Sequence, residues 1–497
     1  MTVRLDRPEQ LDLASYRLVL AGETVELADA ALERVAAGRA LLLELLAAGT
    51  PAYGVTTGLG YLHSTEIPTA EQAGLQRALV TARAAGNGTP FGTATVRGVM
   101  LLRLNGFLSG LVGVRPELCT FLAARLNDGW DPIVPRGPYG AAGEISALAH
   151  LFQTFVGEGS VGGGPAGEAL AARGVAAFEL EAKEGLALVN GSPFATALGL
   201  DLGGRFRLLL GSATTTAALA LALTGGSARP YARRVAELSR DPAQAAISER
   251  LTTLLAGEPG DPDEPQPPVS FRVVPQVHGA ALDAVDRLEQ QLERRLGAVT
   301  DTPLVLDARD EEPAGFYPTG GFHAAAPALL LDTLGIAAAH VLNLVEKRLH
   351  RLLDNRFSGL PEQLAVDPGR HAGVVALHKA VVGLAAEGRL LAAPASVHAL
   401  DTSTGQEDVQ AFTFLSAERL ERSLDLLEAA LAYELVALRQ AAFVRERPVS
   451  APALTAIVDL LSEHIAAVDD DRTLSADVEC ARALVRENRV TPEGLTQ

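Results

Sequence analysis

A chain of 497 residues, 48% hydrophobic and 21% charged, carries ample apolar surface for a large core, and its composition excludes a disordered or fibrous protein. Sixty acidic side chains against forty-two basic ones leave a net charge of −18, a field that repels phosphate backbones and anionic lipids, so no nucleic acid and no membrane is expected as a partner. Two cysteines, Cys119 and Cys480, supply neither a disulfide framework nor a zinc set, and no metal is expected; a reducing, cytoplasmic setting fits.

The opening residues, MTVRLDRPEQLDL, mix charges of both signs without an apolar core, so no secretion signal is expected. Next, YRLVLAGETVEL (16–27) predicts a short hairpin about Ala21-Gly22. Helical spacing then dominates. One helix is expected over 29–48 and another over TAEQAGLQRALVTARAAG (69–86), with Thr69 and Gln72 as a capping box, Leu75, Leu79 and Ala82 facing inward, and Gly86 as its stop. Helices over 93–109 and 115–127 follow. In GPYGAAGEISALAHLF (137–152) the small residues Gly140, Ala141, Ala142 and Gly143 turn a loop into a helix whose first turn suits Glu144 and whose apolar face carries Ile145, Leu148 and Phe152.

The apolar run LLLGSATTTAALALALTGG (208–226) has threonines, small residues and polar flanks, which predict a helix buried among other helices rather than a membrane span. AGEPGDPDEPQPPVSFR (256–272) and DARDEEPAGFYPTGGFH (307–323) read as loops long enough to line a site. Further helices are expected over 278–298, 326–353 (with Pro327 in the first turn), 371–393, 415–443 and 451–467. No fixed-period repeat is present, so the pattern is that of a mostly helical bundle and not a solenoid.

Five segments interrupt this pattern: AYGVTTGLG (52–60), the corner at 140–143, EGLALVNGSP (184–193), VSFRVVPQVHG (269–279) and TSTGQEDVQAF (402–412). Singly, each has an ordinary explanation. Tyr53 is a half-buried tyrosine, Asn190-Gly191 a tight turn, Arg272 a surface charge and Gln406-Glu407 a helix entry.

Together, in this order and with LQRALVTARAAG, VRGVMLLRLNGFLSGLVGVRPE, EAKEGLALVNGS, PQVHG, GGFHAAAPALLLD, SGLPEQL and PASVHALDTSTGQED, they resemble the aromatic amino acid ammonia-lyase family, histidine ammonia-lyase in particular. The resemblance runs to about residue 440 and is loose from about 450 onward. It implies an all-α, L-aspartase/histidine ammonia-lyase-like fold: a long central helix bundle (201–497) with a smaller N-terminal region (1–200) that carries Tyr53 and the prosthetic-group loop. It also implies a homotetramer whose sites combine residues of three subunits, acting on a small amino acid or a derivative.

In that family an Ala-Ser-Gly tripeptide cyclises to methylideneimidazolone, whose electrophilic methylene arises by loss of the serine hydroxyl. The matching residues here are Ala141, Ala142 and Gly143. An alanine methyl has nothing to eliminate, so this electrophile is not expected and no other cofactor is implied. Further departures lie at Arg83, where the family has a histidine, at Val269 for a tyrosine, at Gly321 for an asparagine, and at Thr56-Thr57-Gly58 for Asn-Thr-Gly. They favour a natural divergent member over a laboratory serine-to-alanine variant.

By resemblance, Tyr53 is the base that abstracts a β-proton, and Arg272 clamps the substrate carboxylate. Asn190, Gln266, Phe322, Gln406 and Glu407 line the pocket, Glu407 relaying a proton or binding an amine. A phenol, with an intrinsic pKa of about 10, needs a cationic or hydrogen-bonding neighbourhood to act as a base near neutrality. Arg83 is open to three readings: the cation beside Tyr53, the receptor of a second carboxylate, or a charge favoured by the end of its own helix. The backbone N–H groups of the corner at 140–143 suggest a cradle for an oxyanion or carboxylate. Three functions follow: an acid–base enzyme free of the electrophile, catalysing elimination, addition or cyclisation; a lyase or aminomutase silenced at Ala142; or a noncatalytic scaffold.

Overall fold

The computed structural model describes residues 2–137, 139–260 and 266–492; Pro138 and residues 261–265 of the expected loops lie outside them. The chain forms two compact units. The first comprises Met1–Asp201, Glu289–Leu329 and Ala395–Ala417; the second comprises Leu202–Leu288, Leu330–Pro394 and Glu418–Gln497.

Long helices dominate, as the spacing of apolar residues requires: Asp29–Ala47, Thr93–Phe107, Pro116–Asn127, Pro193–Leu223, Val274–Leu296, Ala325–Leu353 and Thr413–Val444. The most apolar window of residues 184–223 is 89% buried inside the protein, which accounts for its hydropathy without a membrane.

Three local expectations are corrected. Residues 16–27 form no hairpin. Asp12 caps a helix, Leu13–Leu20, by accepting the Ser15 N–H at 2.7 Å, and Tyr16 and Val19 are buried one turn apart. The strand that follows, Thr24–Leu27, instead pairs in parallel with Thr2–Leu5. Thr69 does not cap its helix, because Pro68 takes the cap position and makes Thr69 the first helical residue. That helix stops at Thr81, short of Gly86, whose N–H is given to His150 Nε2 at 2.8 Å. The loop at 307–323 contains a strand, Gly315–Tyr317, paired antiparallel with Leu304–Leu306.

In the second unit a fully buried ion pair joins two long helices. Arg348 donates to both carboxylate oxygens of Glu434 at 2.9 and 3.0 Å, and both side chains are 0% exposed. The last helix, Ser475–Arg486, is tied down where Arg482 and Arg486 each reach Glu428 at 2.7 Å. A bidentate pair in a dry interior stands only while both members are present. Glu434→Ala strands the Arg348 charge, so urea denaturation should show a loss of about 3–5 kcal/mol; a loss below about 1 kcal/mol would mean that Arg348 finds water.

Candidate active site

The site lies in the first unit and begins with a turn. Tyr53 heads residues 53–56, held from behind by the buried Gln76, whose Nε2 donates to the Gly54 carbonyl at 2.9 Å and whose Oε1 accepts the Leu186 N–H at 3.0 Å. The phenol oxygen accepts the Gly60 N–H at 2.8 Å, so the phenol proton takes no part in that bond.

Facing it is the segment 402–407. Ser403 and Thr404 sit in the left-handed region, at φ 50° and 56°, and the chain folds back so that Thr402 Oγ1 and Ser403 Oγ both donate to the Glu407 carboxylate at 3.0 Å. Glu407 Oε2 also accepts the N–H of Ala142 at 3.0 Å. The corner at 140–143 is therefore fastened by its backbone to an acid of this same chain. The Ala142 N–H, expected to help cradle a bound anion, is already taken by Glu407.

Glu144 corrects a second expectation. It precedes its own helix, Ile145–Phe152, and sends its carboxylate to the N–H groups of Phe194 and Ala195, both at 2.6 Å, in the first turn of Pro193–Leu223. Positive helix ends favour such an anion. Burial nevertheless pushes the Glu144 carboxyl up to about 8, against the two N–H bonds and the charges of Arg295 and Arg103 that favour the carboxylate. Beneath it Lys183 and Asp301, both fully buried, pair at 2.5 Å, with Arg103 3.8 Å from the second Asp301 oxygen. Asn190 follows on this layer and donates to the Thr302 carbonyl at 2.6 Å.

Two adjoining cavities result. One, of about 590 Å³, is lined by Tyr53, Ala141, Ala142, Gly143, Asn190, Phe322, His323, Gln406 and Glu407 among others. The other, of about 520 Å³, shares Tyr53, Ala141 and Glu407 and adds Arg83, Gly140, Thr402 and Ser403. Arg83 lies just past its helix end, not in the last turn. Burial lowers its pKa, while the charges of Tyr53 and Glu407 raise it. Leu59 and Ile145 give both cavities apolar walls, which strengthen electrostatic interactions there.

Gln266 and Arg272 are not among these lining residues. They line a cavity of about 450 Å³ in the second unit, with Ser227, Arg229 and Gln276, and Arg272 Nε donates to the Pro267 carbonyl at 2.9 Å. Sequence reasoning missed Gly60, Thr402, Ser403, His323 and Glu144. The hydroxyls at 402 and 403, placed before Gly405 and Glu407, were a readable signal of a turn that returns onto its own acid. Nothing local signals that Glu144 caps a helix fifty residues on, or that His323 Nε2 is buried without a hydrogen-bond partner.

The aromatic amino acid lyase family matches residues 11–463, beyond the limit near 440 that the motifs suggested. The histidine ammonia-lyase of Aromatoleum aromaticum is 36% identical over 489 residues, covering 96% of this chain and 92% of that protein. Tyrosine aminomutase from Streptomyces globisporus superposes with a TM-score of 0.90 at 28% identity, over 99% of this chain and 98% of the other. Histidine ammonia-lyase from Trypanosoma cruzi gives 0.88 at 27% identity, over 100% and 97%.

Because the folded state holds the Glu144 proton more tightly than the unfolded chain, its contribution to stability is complete below about pH 4.5 and is lost as pH rises through about 8. Compared with Glu144→Gln in urea titrations, the unsubstituted chain should lose relative stability between about pH 5 and 8 and level off above about pH 9. A flat difference across that range would mean that Glu144 is ionised throughout.

Proposed function

This chain belongs to the aromatic amino acid lyase family, and from that premise we propose that it is a carbon–nitrogen lyase-like enzyme working on an amino acid or derivative without methylideneimidazolone. The observation that carries the reading is the methyl group of Ala142 on the wall of a cavity that still presents Tyr53, Asn190 and Glu407. Ala141, Ala142 and Gly143 do not fit a group whose methylene forms by loss of a serine hydroxyl, so no step runs through it.

Tyr53 removes a proton from the carbon next to the one bearing the leaving group. The C–H electron pair becomes the new double bond, and the leaving group departs with the pair of its own bond. With no internal electrophile to capture it, that group must already be activated in the substrate. Glu407, held by three donors, faces the same cavity and binds the substrate amine. Asn190, Gln406 and Phe322 orient the rest. Arg272 and Gln266, on the second unit's cavity, serve the α-carboxylate in a homotetramer whose sites draw on neighbouring subunits. The free thiols Cys119 and Cys480 suit a reducing cytoplasm.

A second reading, a lyase or aminomutase silenced at Ala142, is favoured by the same retention of Tyr53, Asn190, Phe322 and Glu407 on one cavity.

Amino acids and their N-alkylated and acyl-activated derivatives should be screened for turnover. Tyr53→Phe is expected to lower any turnover found by about 10²–10⁴-fold; activity unchanged by that substitution rejects the proposal. Ala142→Ser should be examined by intact mass. A loss of two waters, with ammonia released from histidine or tyrosine, establishes the silenced-lyase reading instead.

A further inference from the structure

The second cavity carries a guanidinium that no acid of this chain contacts directly, although the charges of Tyr53 and Glu407 act on it. Among the described residues the Arg83 guanidinium makes no hydrogen bond and no ion pair, although it is half-buried and lines the cavity. Arg39 and Arg348, by contrast, are buried and paired, with Glu181 at 2.7 Å and Glu434 at 2.9 Å, and the half-buried Arg115 pairs with Glu184 at 2.7 Å.

Glu407, the acid on the same wall, has Oε2 engaged by Ala142 and Thr402 and Oε1 by Ser403, and forms no ion pair with Arg83. The Tyr53 oxygen already accepts from Gly60. Gly140 and Ala141 wall the cavity without a side-chain acceptor, so the small corner leaves the Arg83 donors facing open space.

We infer that the cavity of Arg83 selects a substrate carrying a second anionic group, a carboxylate or sulfonate at the end of its side chain, bound by the guanidinium fork. This rests on the reading that the Tyr53 cavity holds an amino acid. A guanidinium keeps its charge at any working pH and offers two parallel N–H groups that match a planar carboxylate. A neutral side chain in the same place leaves those donors desolvated and unmet. The volume, about 520 Å³, is within the ordinary range for a small ligand. Its position past the helix end removes the helix-end reading of Arg83; sharing a cavity with Tyr53 and Glu407, whose charges raise its pKa, it stays the cation beside Tyr53 and is free to receive a second anion.

Calorimetric titration of the full-length protein with isosteric pairs tests this: L-glutamate against L-glutamine, and L-2-aminoadipate against its side-chain amide, L-homoglutamine. At least one acid should bind about tenfold or more tightly than its neutral counterpart, and Arg83→Gln should reduce that preference to about twofold or less. Arg83→Lys, which keeps the charge and loses the fork, should narrow the preference, and it carries the test alone if Arg83→Gln does not fold. Equal binding within each pair, absence of binding by every acid, or a preference that survives substitution of Arg83 overturns the inference. Repeating the titrations on Tyr53→Phe separates the two claims. The preference should persist there, because it does not depend on turnover; its absence beside Tyr53-dependent turnover rejects this inference alone.

Discussion

The carboxylate of Glu407 accepts hydrogen bonds from Thr402, Ser403 and the backbone of Ala142, and the candidate site is built around that meeting. The corner at 140–143 has no side chain with which to anchor itself. Only its N–H and carbonyl groups can be held, and Glu407 is the group that holds one of them. Bonds to a charged acceptor each contribute about 1.5–3 kcal/mol, enough to offset two left-handed residues, Ser403 and Thr404, at about 1–3 kcal/mol each. The same acid lines both cavities, as do Tyr53 and Ala141.

Behind this wall lie several buried ionisable side chains, each with a polar partner. Glu144 spans from the corner to the first turn of Pro193–Leu223; Lys183 and Asp301 pair below it, and Arg103 touches both Asp301 and the Ala187 carbonyl. Such pairs add little net stability compared with a packed apolar core, but they tolerate only one arrangement of the backbone around them. That arrangement carries Asn190 and the Thr300–Thr302 stretch to the pocket edge, where Gly191 adopts φ 107° with Arg103 and Thr300 too close to admit a side chain.

Loss of a hydroxyl at Ala142 and the presence of a guanidinium at Arg83 are changes on one connected surface. In the proposed reaction, the first moves the burden of activation from the protein to the substrate. The second sets a positive charge on the cavity wall, which the inferred second anion of the substrate would meet. Tyr53 lines both cavities, with its oxygen accepting from Gly60, so in the proposed reaction the proton it takes belongs to a ligand held between them.

Local sequence determined the long helices, because apolar residues at three- and four-residue steps must share a buried face wherever they fold, and it determined the family through many collinear segments. It also determined the missing oxygen at Ala142, a covalent fact that no packing alters. It misread residues 16–27 and Thr69, where Asp12 and Pro68 set the helix starts by hydrogen bonding and a fixed φ rather than by periodicity. Only the tertiary structure decided that Glu144 caps a distant helix, that Ala142 gives its N–H to Glu407, that Arg83 lines a cavity without forming an ion pair among the described residues, and that Gln266 and Arg272 share a cavity in the second unit. Each of these depends on contacts between residues tens to hundreds of positions apart, and a linear pattern records which groups exist but not which of them find each other.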